Sequence, residues 1–171
     1  MKKENITSSS IQTKKLGERF AKEILDKKPK KTAFVIGLEG ELGGGKTTFL
    51  QGFARGLGVK EKVLSPTFVI MKKFKIHPVI RLGAPSDDGA KTKREYLIHI
   101  DCYRIQKSKE LLDLGFKEIV SNPKNIIAVE WADRIRKIMP KDSIWIKFDF
   151  IDRRKRKITF RNFQLCDTIK K

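Results

Sequence analysis

The stretch that decides the fold is TAFVIGLE-GELGGGKT, residues 32–47. Its first half, residues 32–39, is a short run of mainly apolar residues, which is typical of a buried strand in a parallel sheet. Its second half, Gly40–Thr47, fits the pattern G-x-x-x-x-G-K-[ST] in full. Because an amphipathic helix is predicted to begin near Lys46, this pattern lies between a strand and a helix, where a phosphate-binding loop belongs.

The residue types of this loop suit a nucleoside triphosphate. The glycines (Gly40, Gly43, Gly44 and Gly45) let the backbone turn so tightly that successive N–H groups point at phosphate oxygens. Lys46 neutralises the β and γ oxygens, and the Thr47 hydroxyl binds Mg²⁺. The N-terminus of the following helix adds about half a positive charge. Nucleoside triphosphate binding is therefore predicted, in preference to a glycine-rich surface loop.

Two acidic residues are candidates for the second magnesium ligand that a phosphate loop needs at the end of a neighbouring strand. Asp101 ends the predicted strand 96–101 (YLIHID), and Glu130 lies in the predicted strand 126–131 (IIAVEW). The alternative for either residue alone is an ordinary acid that caps the next helix. Asp101 is the better candidate for orienting the attacking water and Glu130 for binding the metal, but the sequence leaves an exchange of these roles open.

Further segments complete the expected architecture. Leu16, Phe20 and Ile24 repeat at helical spacing in a segment that Ser8, Ser9 or Ser10 can cap. Residues 75–95 contain several proline and glycine residues and are predicted to be an inserted loop or flexible hairpin. Helices are predicted over four segments: 8–28, Lys46 to a stop at Gly58, 108–114 (capped by Ser108) and 116–121. Additional strands are predicted at 67–74, 143–151 and 157–163.

Strands that alternate with helices and end in a hairpin predict an α/β protein. We expect a three-layer fold similar to that of P-loop NTPases, with a mostly parallel central sheet and a C-terminal antiparallel hairpin. The length of 171 residues predicts a single domain over 1–171. The two cysteines, Cys102 and Cys166, and the two histidines, His77 and His99, do not have the spacing of the usual four-ligand zinc site. Reduced thiols, with neither a secretory signal nor an apolar run of membrane-spanning length, suggest a cytoplasmic location.

The chain is strongly basic, with 39 Lys and Arg residues against 20 Asp and Glu residues and a net charge of +19. Such a surplus favours polyanionic partners such as nucleic acid or nucleotide phosphate. The alternative is a general surface property of a lysine-rich proteome.

Several segments together resemble the TsaE (YjeE) family, bacterial ATPases of tRNA threonylcarbamoyladenosine biosynthesis. The segments that carry the resemblance are, besides the phosphate loop, Leu16–Arg19 (LGER), Gly52–Phe53, Gly56–Gly58 (GLG), Ser65–Phe68 (SPTF), His99–Ile105 (HIDCYRI) and Val129–Trp131 (VEW). They span nearly the whole chain in the order of the family. The H-x-D-x-Y-R and V-E-W segments are more diagnostic than the loop itself.

The resemblance implies an ATPase that acts with a catalytic subunit (TsaD) and a structural subunit (TsaB) and does not itself transfer the threonylcarbamoyl group. It implies that the residues from Gly43 through Thr48 hold the phosphates. The other implied roles are Thr47 and Glu130 on Mg²⁺, Asp101 beside the attacking water or metal, Thr67 in a switch, Trp131 and Arg154 near the nucleotide, Thr13 close to its base, and Tyr103–Arg104 in a switch or partner contact.

Two other functions compete with this one. A small P-loop kinase would need an acceptor pocket and an arginine-bearing lid, for which Arg81 and Arg94 in the insertion are the available arginines. A nucleic-acid-binding module would use the basic clusters at 27–31 and 153–157, but the aromatic residues are predicted on core faces and not among those charges. His99 is interpreted as a hydrogen-bonded structural histidine and Cys102 as an inert thiol.

Overall fold

The computed structural model describes residues 2–27, 30–66, 68–77 and 94–163. These residues form seven strands, four α-helices and one 3₁₀ helix. They are β1 (Lys2–Thr7), α1 (Ser10–Leu25), β2 (Phe34–Gly40), α2 (Lys46–Gly56), β3 (Met71–Lys75), β4 (Tyr96–Asp101), α3 (Ser108–Asp113), α4 (Phe116–Ser121), β5 (Asn125–Glu130), a 3₁₀ helix (Ala132–Ile138), β6 (Ile144–Phe150) and β7 (Arg156–Arg161).

The described strands form one seven-stranded sheet in the order β1-β7-β6-β2-β5-β4-β3. The four central strands, β6, β2, β5 and β4, are parallel, whereas β7 pairs antiparallel with β6 and β3 pairs antiparallel with β4. The predicted α/β class, with a mostly parallel centre and a C-terminal antiparallel hairpin, is confirmed. The outer strand β1 was not predicted; it pairs antiparallel with β7.

Helices cover both faces of the sheet. One core cluster joins α1 and α2 to the sheet and contains eight buried phenylalanines. Ring contacts connect six of them: Phe20, Phe49, Phe53, Phe148, Phe160 and Phe163. The opposite cluster lies under α3, α4 and the 3₁₀ helix. Leu16, Phe20 and Ile24, which the sequence predicts at helical spacing, all lie in the first cluster.

The helices α1 and α2 approach each other at the level of their backbones. A Cβ atom on Gly52 would lie 2.0 Å from the carbonyl oxygen of Lys14, and one on Gly17 would lie 2.3 Å from that of Phe49. Both distances are far below van der Waals contact, so only glycine fits at these two positions. The contact brings the N-terminal half of α1 next to the N-terminus of α2, where the glycine-rich loop ends.

Several predicted boundaries need correction. Helix α1 runs from Ser10 to Leu25 instead of 8–28, and Ser9 is its N-cap, because the Ser9 hydroxyl accepts a hydrogen bond from the N–H of Gln12. The predicted stop of α2 at Gly58 is confirmed. The helix ends at Gly56, Leu57 is its C-cap, and Gly58 follows with a φ of 85°, a left-handed conformation that favours glycine.

Two further boundaries differ for local reasons. Strand β3 covers Met71–Lys75 and not 67–74, because residues 68–70 form a turn in which Ile70 has a φ of 62°. Ser108 begins α3 but does not cap it: the N-cap is Lys107, whose N–H donates to the carboxylate of Glu110 at 2.7 Å.

The predicted insertion at 75–95 connects two neighbouring antiparallel strands, β3 and β4. The N–H of Ile76 donates to the carbonyl of Glu95 at 2.8 Å, which continues the strand pairing by one position. Residues 78–93, the main part of this segment, lie outside the described residues. None of the helices that the structure describes has the length and apolar character needed to cross a membrane.

Replacing Gly52 with alanine is expected to destabilise the protein by about 3 kcal/mol or more, because the added methyl group meets the backbone of α1. In an unconstrained helix the same change would stabilise by about 1 kcal/mol. Urea unfolding followed by circular dichroism measures the effect, with Lys15→Ala on the exposed side of α1 as the control. A Gly52→Ala variant as stable as the wild type would contradict the close approach of the two helices.

Candidate functional site

The connection from β2 to α2 is a tight turn that requires glycine at several positions. Gly40, Gly43 and Gly45 have φ values of 136°, 73° and 99°, in the region that favours glycine. At Gly40 a Cβ atom would also lie 2.3 Å from the carbonyl oxygen of Phe148 on β6. The turn therefore passes close to β6 before α2 begins at Lys46, and the N-terminus of this eleven-residue helix faces the loop.

Lys46 lies in the centre of this turn and is buried. Its Nζ donates to the carbonyl oxygens of Gly40 at 2.7 Å and Glu41 at 2.9 Å, and it lies 3.9 Å from the centre of the Trp131 ring. Burial lowers the pKa of the Lys46 ammonium, whereas the nearby carboxylates, Glu130 foremost, raise it. A buried ammonium on the inner side of the loop provides positive charge at the position where an anion would enter.

Thr47 connects the first turn of α2 to the end of β5. Its Oγ1 lies 3.0 and 2.9 Å from the two carboxylate oxygens of Glu130 and donates its single proton to them. His99 on β4 contacts the same carboxylate, with Nε2 2.9 Å from Oε1. Glu130 is only 2% exposed and His99 is completely buried. The carboxylate is therefore held between a helix and a neighbouring strand.

Asp101 lies beside Glu130 because β4 and β5 are parallel and pair these two residues in register. The Asp101 carboxylate accepts hydrogen bonds from the Ser65 hydroxyl and from the N–H of Tyr103, the latter at 2.9 Å. Both acids thus lie at the carboxyl edge of the parallel strands, where ligands of open α/β sheets bind.

These residues line one open cleft of about 420 Å³ at the carboxyl edge of the sheet. Trp131 closes one side and contacts the Tyr103 ring, with ring centres 5.2 Å apart. The full lining is Leu42, Gly43, Gly44, Gly45, Lys46, Thr47, Thr48, Ser65, Asp101, Tyr103, Glu130 and Trp131. The structure therefore brings together most of the sequence-predicted site residues; Thr67, the predicted switch residue, lies outside the described residues.

A second cleft of about 510 Å³ lies on the other side of the same loop and shares Gly43, Gly45 and Thr48 with the first. Thr13 and Arg154 both line it, although they are far apart in sequence. The remaining lining residues are Ser8, Ser9, Ser10, Arg153 and Arg156. This lining combines hydroxyl groups with three arginines and contains no carboxylate.

Arg156 is a site residue that the sequence reasoning missed. Its Nε and Nη2 donate to the carbonyl oxygen of Gly43 at 3.3 and 3.2 Å, and its Nη1 donates to the carbonyls of Asp152 and Lys155. The guanidinium thus ties the β6–β7 turn to the glycine-rich loop. The basic cluster 153–157 was the available signal, but only the strand register determines which of its side chains points at the loop.

The donor set of the first cleft fits Mg²⁺. This ion prefers oxygen ligands, keeps several waters, and is usually bound by one or two carboxylates together with substrate phosphates. The Thr47 hydroxyl and the buried carboxylates of Glu130 and Asp101 provide oxygen donors of this kind. No group of three or more His, Cys, Asp or Glu side chains suitable for a metal occurs within the described ranges.

Aromatic residues are only partly where the sequence suggested. Most phenylalanines lie in the core, but Phe68, Tyr103 and Phe150 are 84%, 43% and 57% exposed. The prediction that the aromatic residues lie on core faces is therefore wrong for these three. The Arg104 guanidinium lies 4.6 Å from the ring centre of Phe68, near the first cleft.

A strand, a glycine-rich loop and a helix over the edge of a parallel sheet, with two acids at the neighbouring strand ends, define a P-loop protein. A crystal structure of YdiB from Bacillus subtilis superimposes with a TM-score of 0.68 at 28% sequence identity, covering 94% of this chain and 84% of that one.

The family model described as "Threonylcarbamoyl adenosine biosynthesis protein TsaE" matches residues 7–158. The tRNA threonylcarbamoyladenosine biosynthesis protein TsaE of Bacillus subtilis is 36% identical over 140 residues, 79% of this chain and 77% of that protein. The protein of the same name from Aquifex aeolicus is 34% identical over 158 residues, 91% and 93% of the two chains. The chain belongs to the TsaE family, which confirms the resemblance inferred from the sequence.

Cys102 follows Asp101 directly and is buried. Burial, reinforced by the negative charge of Asp101, raises the pKa of its thiol to about 12. At pH 8 only about one thiol in ten thousand would be ionised, compared with about a quarter of the molecules of an ordinary cysteine of pKa near 8.5.

We therefore expect Cys102 to resist alkylation in the folded protein at pH 8. A Cys166→Ser variant leaves Cys102 as the single thiol, and its reaction with iodoacetamide is followed by mass spectrometry. The same variant in 6 M guanidinium chloride serves as the control and should react fully. Rapid labelling under native conditions would contradict the burial of this thiol.

Proposed function

We propose that this chain binds ATP with Mg²⁺ and hydrolyses it, as an accessory protein of tRNA threonylcarbamoyladenosine modification that acts with TsaD-like and TsaB-like subunits. One observation carries the proposal: Lys46, Thr47, Asp101 and Glu130 line a single cleft at the carboxyl edge of the parallel strands. Membership of the TsaE family supports the pathway, and the P-loop geometry supports the nucleotide.

The triphosphate would lie on the glycine-rich loop. The loop glycines and the first residues of α2 line the cleft, and a helix N-terminus offers free N–H groups to an anion. Lys46 would exchange its two loop carbonyl acceptors for phosphate oxygens of greater negative charge. The second cleft, which Thr13 and Arg154 line on the other side of the loop, would take the ribose and base. Trp131 limits the phosphate side of the site.

Thr47 and Glu130, with Asp101 next to them, would hold Mg²⁺. When bound, this ion neutralises charge on the β and γ phosphates. We assign Asp101 to the attacking water, because Ser65 and the N–H of Tyr103 already fix its carboxylate at the cleft. Water adds to the γ-phosphorus, the bond to the β–γ bridging oxygen breaks, and ADP and inorganic phosphate leave.

The surroundings of the cleft support a partner that completes the site. Leu42, Leu64 and Phe68 are 80%, 56% and 84% exposed, and Tyr103 on the cleft wall is 43% exposed. Exposed apolar side chains in one region mark protein interaction sites. Since Ser65 and Tyr103 both contact Asp101, a partner that orders these neighbouring segments would also order the water-orienting carboxylate. The isolated chain is accordingly expected to hydrolyse ATP slowly.

The kinase alternative receives less support. Arg94, one of its two lid arginines, is buried and donates to the carbonyl of Pro123. It is therefore part of the fold and not of the cleft lining, while Arg81 lies outside the described residues. Hydrolysis of ATP without any added acceptor distinguishes an ATPase from a kinase.

The central test measures ATP turnover by the wild type, Lys46→Ala and Asp101→Asn, with and without TsaB and TsaD. The wild type is expected to turn over faster with the partners, and both variants should lose at least about tenfold, since each loses a charged interaction worth about 1.5–3 kcal/mol. Calorimetry should show magnesium-dependent binding of ATP by the wild type. Variants that hydrolyse ATP like the wild type with the partners present would contradict the assignment.

Replacing Arg156 with alanine is expected to weaken ATP binding by about fivefold to tenfold, because the loop loses the donor that fixes the Gly43 carbonyl. Calorimetric titration of ATP in the presence of Mg²⁺ measures this. Lys155→Ala is the matched control, as Lys155 is an exposed residue of the same turn that does not line the cleft. Equal affinity of the two variants would show that Arg156 does not support the loop.

A further inference from the structure

We propose that His99 is a positioning residue: it fixes the carboxylate of Glu130 in the orientation that binds Mg²⁺, and it acts only through Glu130. The inference rests on the proposed function, since it concerns the binding of ATP with magnesium. It assigns a role to a residue that lines neither cleft and that the reaction itself does not use.

The sheet register brings the two side chains together. His99 pairs with Ala128 and Asp101 pairs with Glu130 across the parallel strands β4 and β5, so all four side chains lie on the face that α2 covers. Ala128 has only a methyl group, which leaves room for the imidazole to reach diagonally to Glu130. Nε2 lies 2.9 Å from Oε1. Because a carboxylate only accepts, Nε2 carries the proton and donates it.

The carboxylate of Glu130 is held from two directions. Thr47 donates from the first turn of α2, on the cleft side, and His99 donates from the sheet, behind the cleft. Thr47 must also face the metal and the phosphates, so its hydroxyl reorients when they bind. His99 is completely buried and away from the ligand, so its hydrogen bond fixes Glu130 equally before and after binding.

The second nitrogen of the ring argues against a purely structural role. Nδ1 is buried and has no hydrogen-bond partner within the described part of the chain. Buried polar atoms are nearly always paired, and an unpaired one destabilises the fold. A position that served packing alone would be filled better by an apolar side chain. The contact that offsets this unpaired nitrogen is the donation from Nε2 to Glu130.

Two amide substitutions separate positioning from packing. The side-chain amide of His99→Gln reaches about as far as Nε2 and still donates to Glu130, whereas that of His99→Asn reaches only about as far as Nδ1. His77→Gln is the control, since His77 is the other histidine of the chain. It lies two residues after β3, and its N–H donates to the carbonyl of Gly58, past the end of α2 that is opposite Lys46. Calorimetry gives the dissociation constant of ATP with excess Mg²⁺ and with EDTA, and their ratio is the magnesium-dependent gain in affinity.

In His99→Asn the magnesium-dependent gain should fall by about 10- to 100-fold, the usual effect of removing a group that orients a metal ligand. Affinity for ATP in EDTA should change by less than about threefold, and His99→Gln should retain most of the gain. Thermal unfolding identifies a variant that is merely misfolded. If His99→Asn does not fold, the test rests on His99→Gln. Retention of the magnesium-dependent gain in affinity by His99→Gln supports the proposal, and loss of that gain in a folded variant overturns it.

Three other outcomes overturn the inference and are distinguishable. If the wild type shows magnesium-dependent ATP binding and His99→Asn keeps the full gain, then His99 does not position Glu130, although the proposed function stands. If the wild type binds no ATP in the presence of magnesium, the proposed function fails and the inference fails with it. A loss of affinity in EDTA as large as the loss in magnesium identifies a general structural role and also overturns the proposal.

Discussion

The turn from β2 into α2 is the constraint on which the rest of the site depends. Three glycines with positive φ values direct the chain away from β6 and start α2 with Lys46 and Thr47 facing the sheet edge. From that position Thr47 reaches the carboxylate at the end of β5. A side chain at Gly40 would collide with the backbone of β6, so the loop and the neighbouring strand fix each other's positions.

Two distant segments are attached to this loop by different physical means. Helix α1 is brought close by glycine contacts with α2, which allow backbone-to-backbone packing and place Thr13 beside the loop. The β6–β7 turn is attached by the hydrogen bonds from Arg156 to Gly43. The second cleft exists because both segments reach the loop from opposite ends of the chain. Its composition therefore depends on long-range packing and not on any local motif.

This difference explains how much the sequence could predict. Gly40–Thr47 and the strand ends at Asp101 and Glu130 carry strong local signals, because glycine geometry and hydrophobic periodicity act over a few residues. Strand β1, with the sequence KKENIT, has no such signal; it is a strand because its backbone pairs with β7. The contacts of Arg156 with Gly43 and of His99 with Glu130 depend on which segments become neighbours in the fold, and a local pattern does not determine that. The roles carried over from the family, such as those of Thr13 and Arg154, remain predictions about ligand binding.

Two of the buried acids, Glu39 and Glu130, are held by different kinds of donor. Glu39 is paired with the guanidinium groups of Arg136 and Arg161, at 2.6 and 3.4 Å. Glu130 is instead held by a threonine hydroxyl and a histidine N–H. An arginine would neutralise the carboxylate and compete with a metal ion for it. The threonine hydroxyl and the histidine N–H orient the carboxylate but do not bring the positive charge of a guanidinium. In a chain with nearly twice as many basic as acidic residues, a carboxylate held by these two donors fits the magnesium site proposed above.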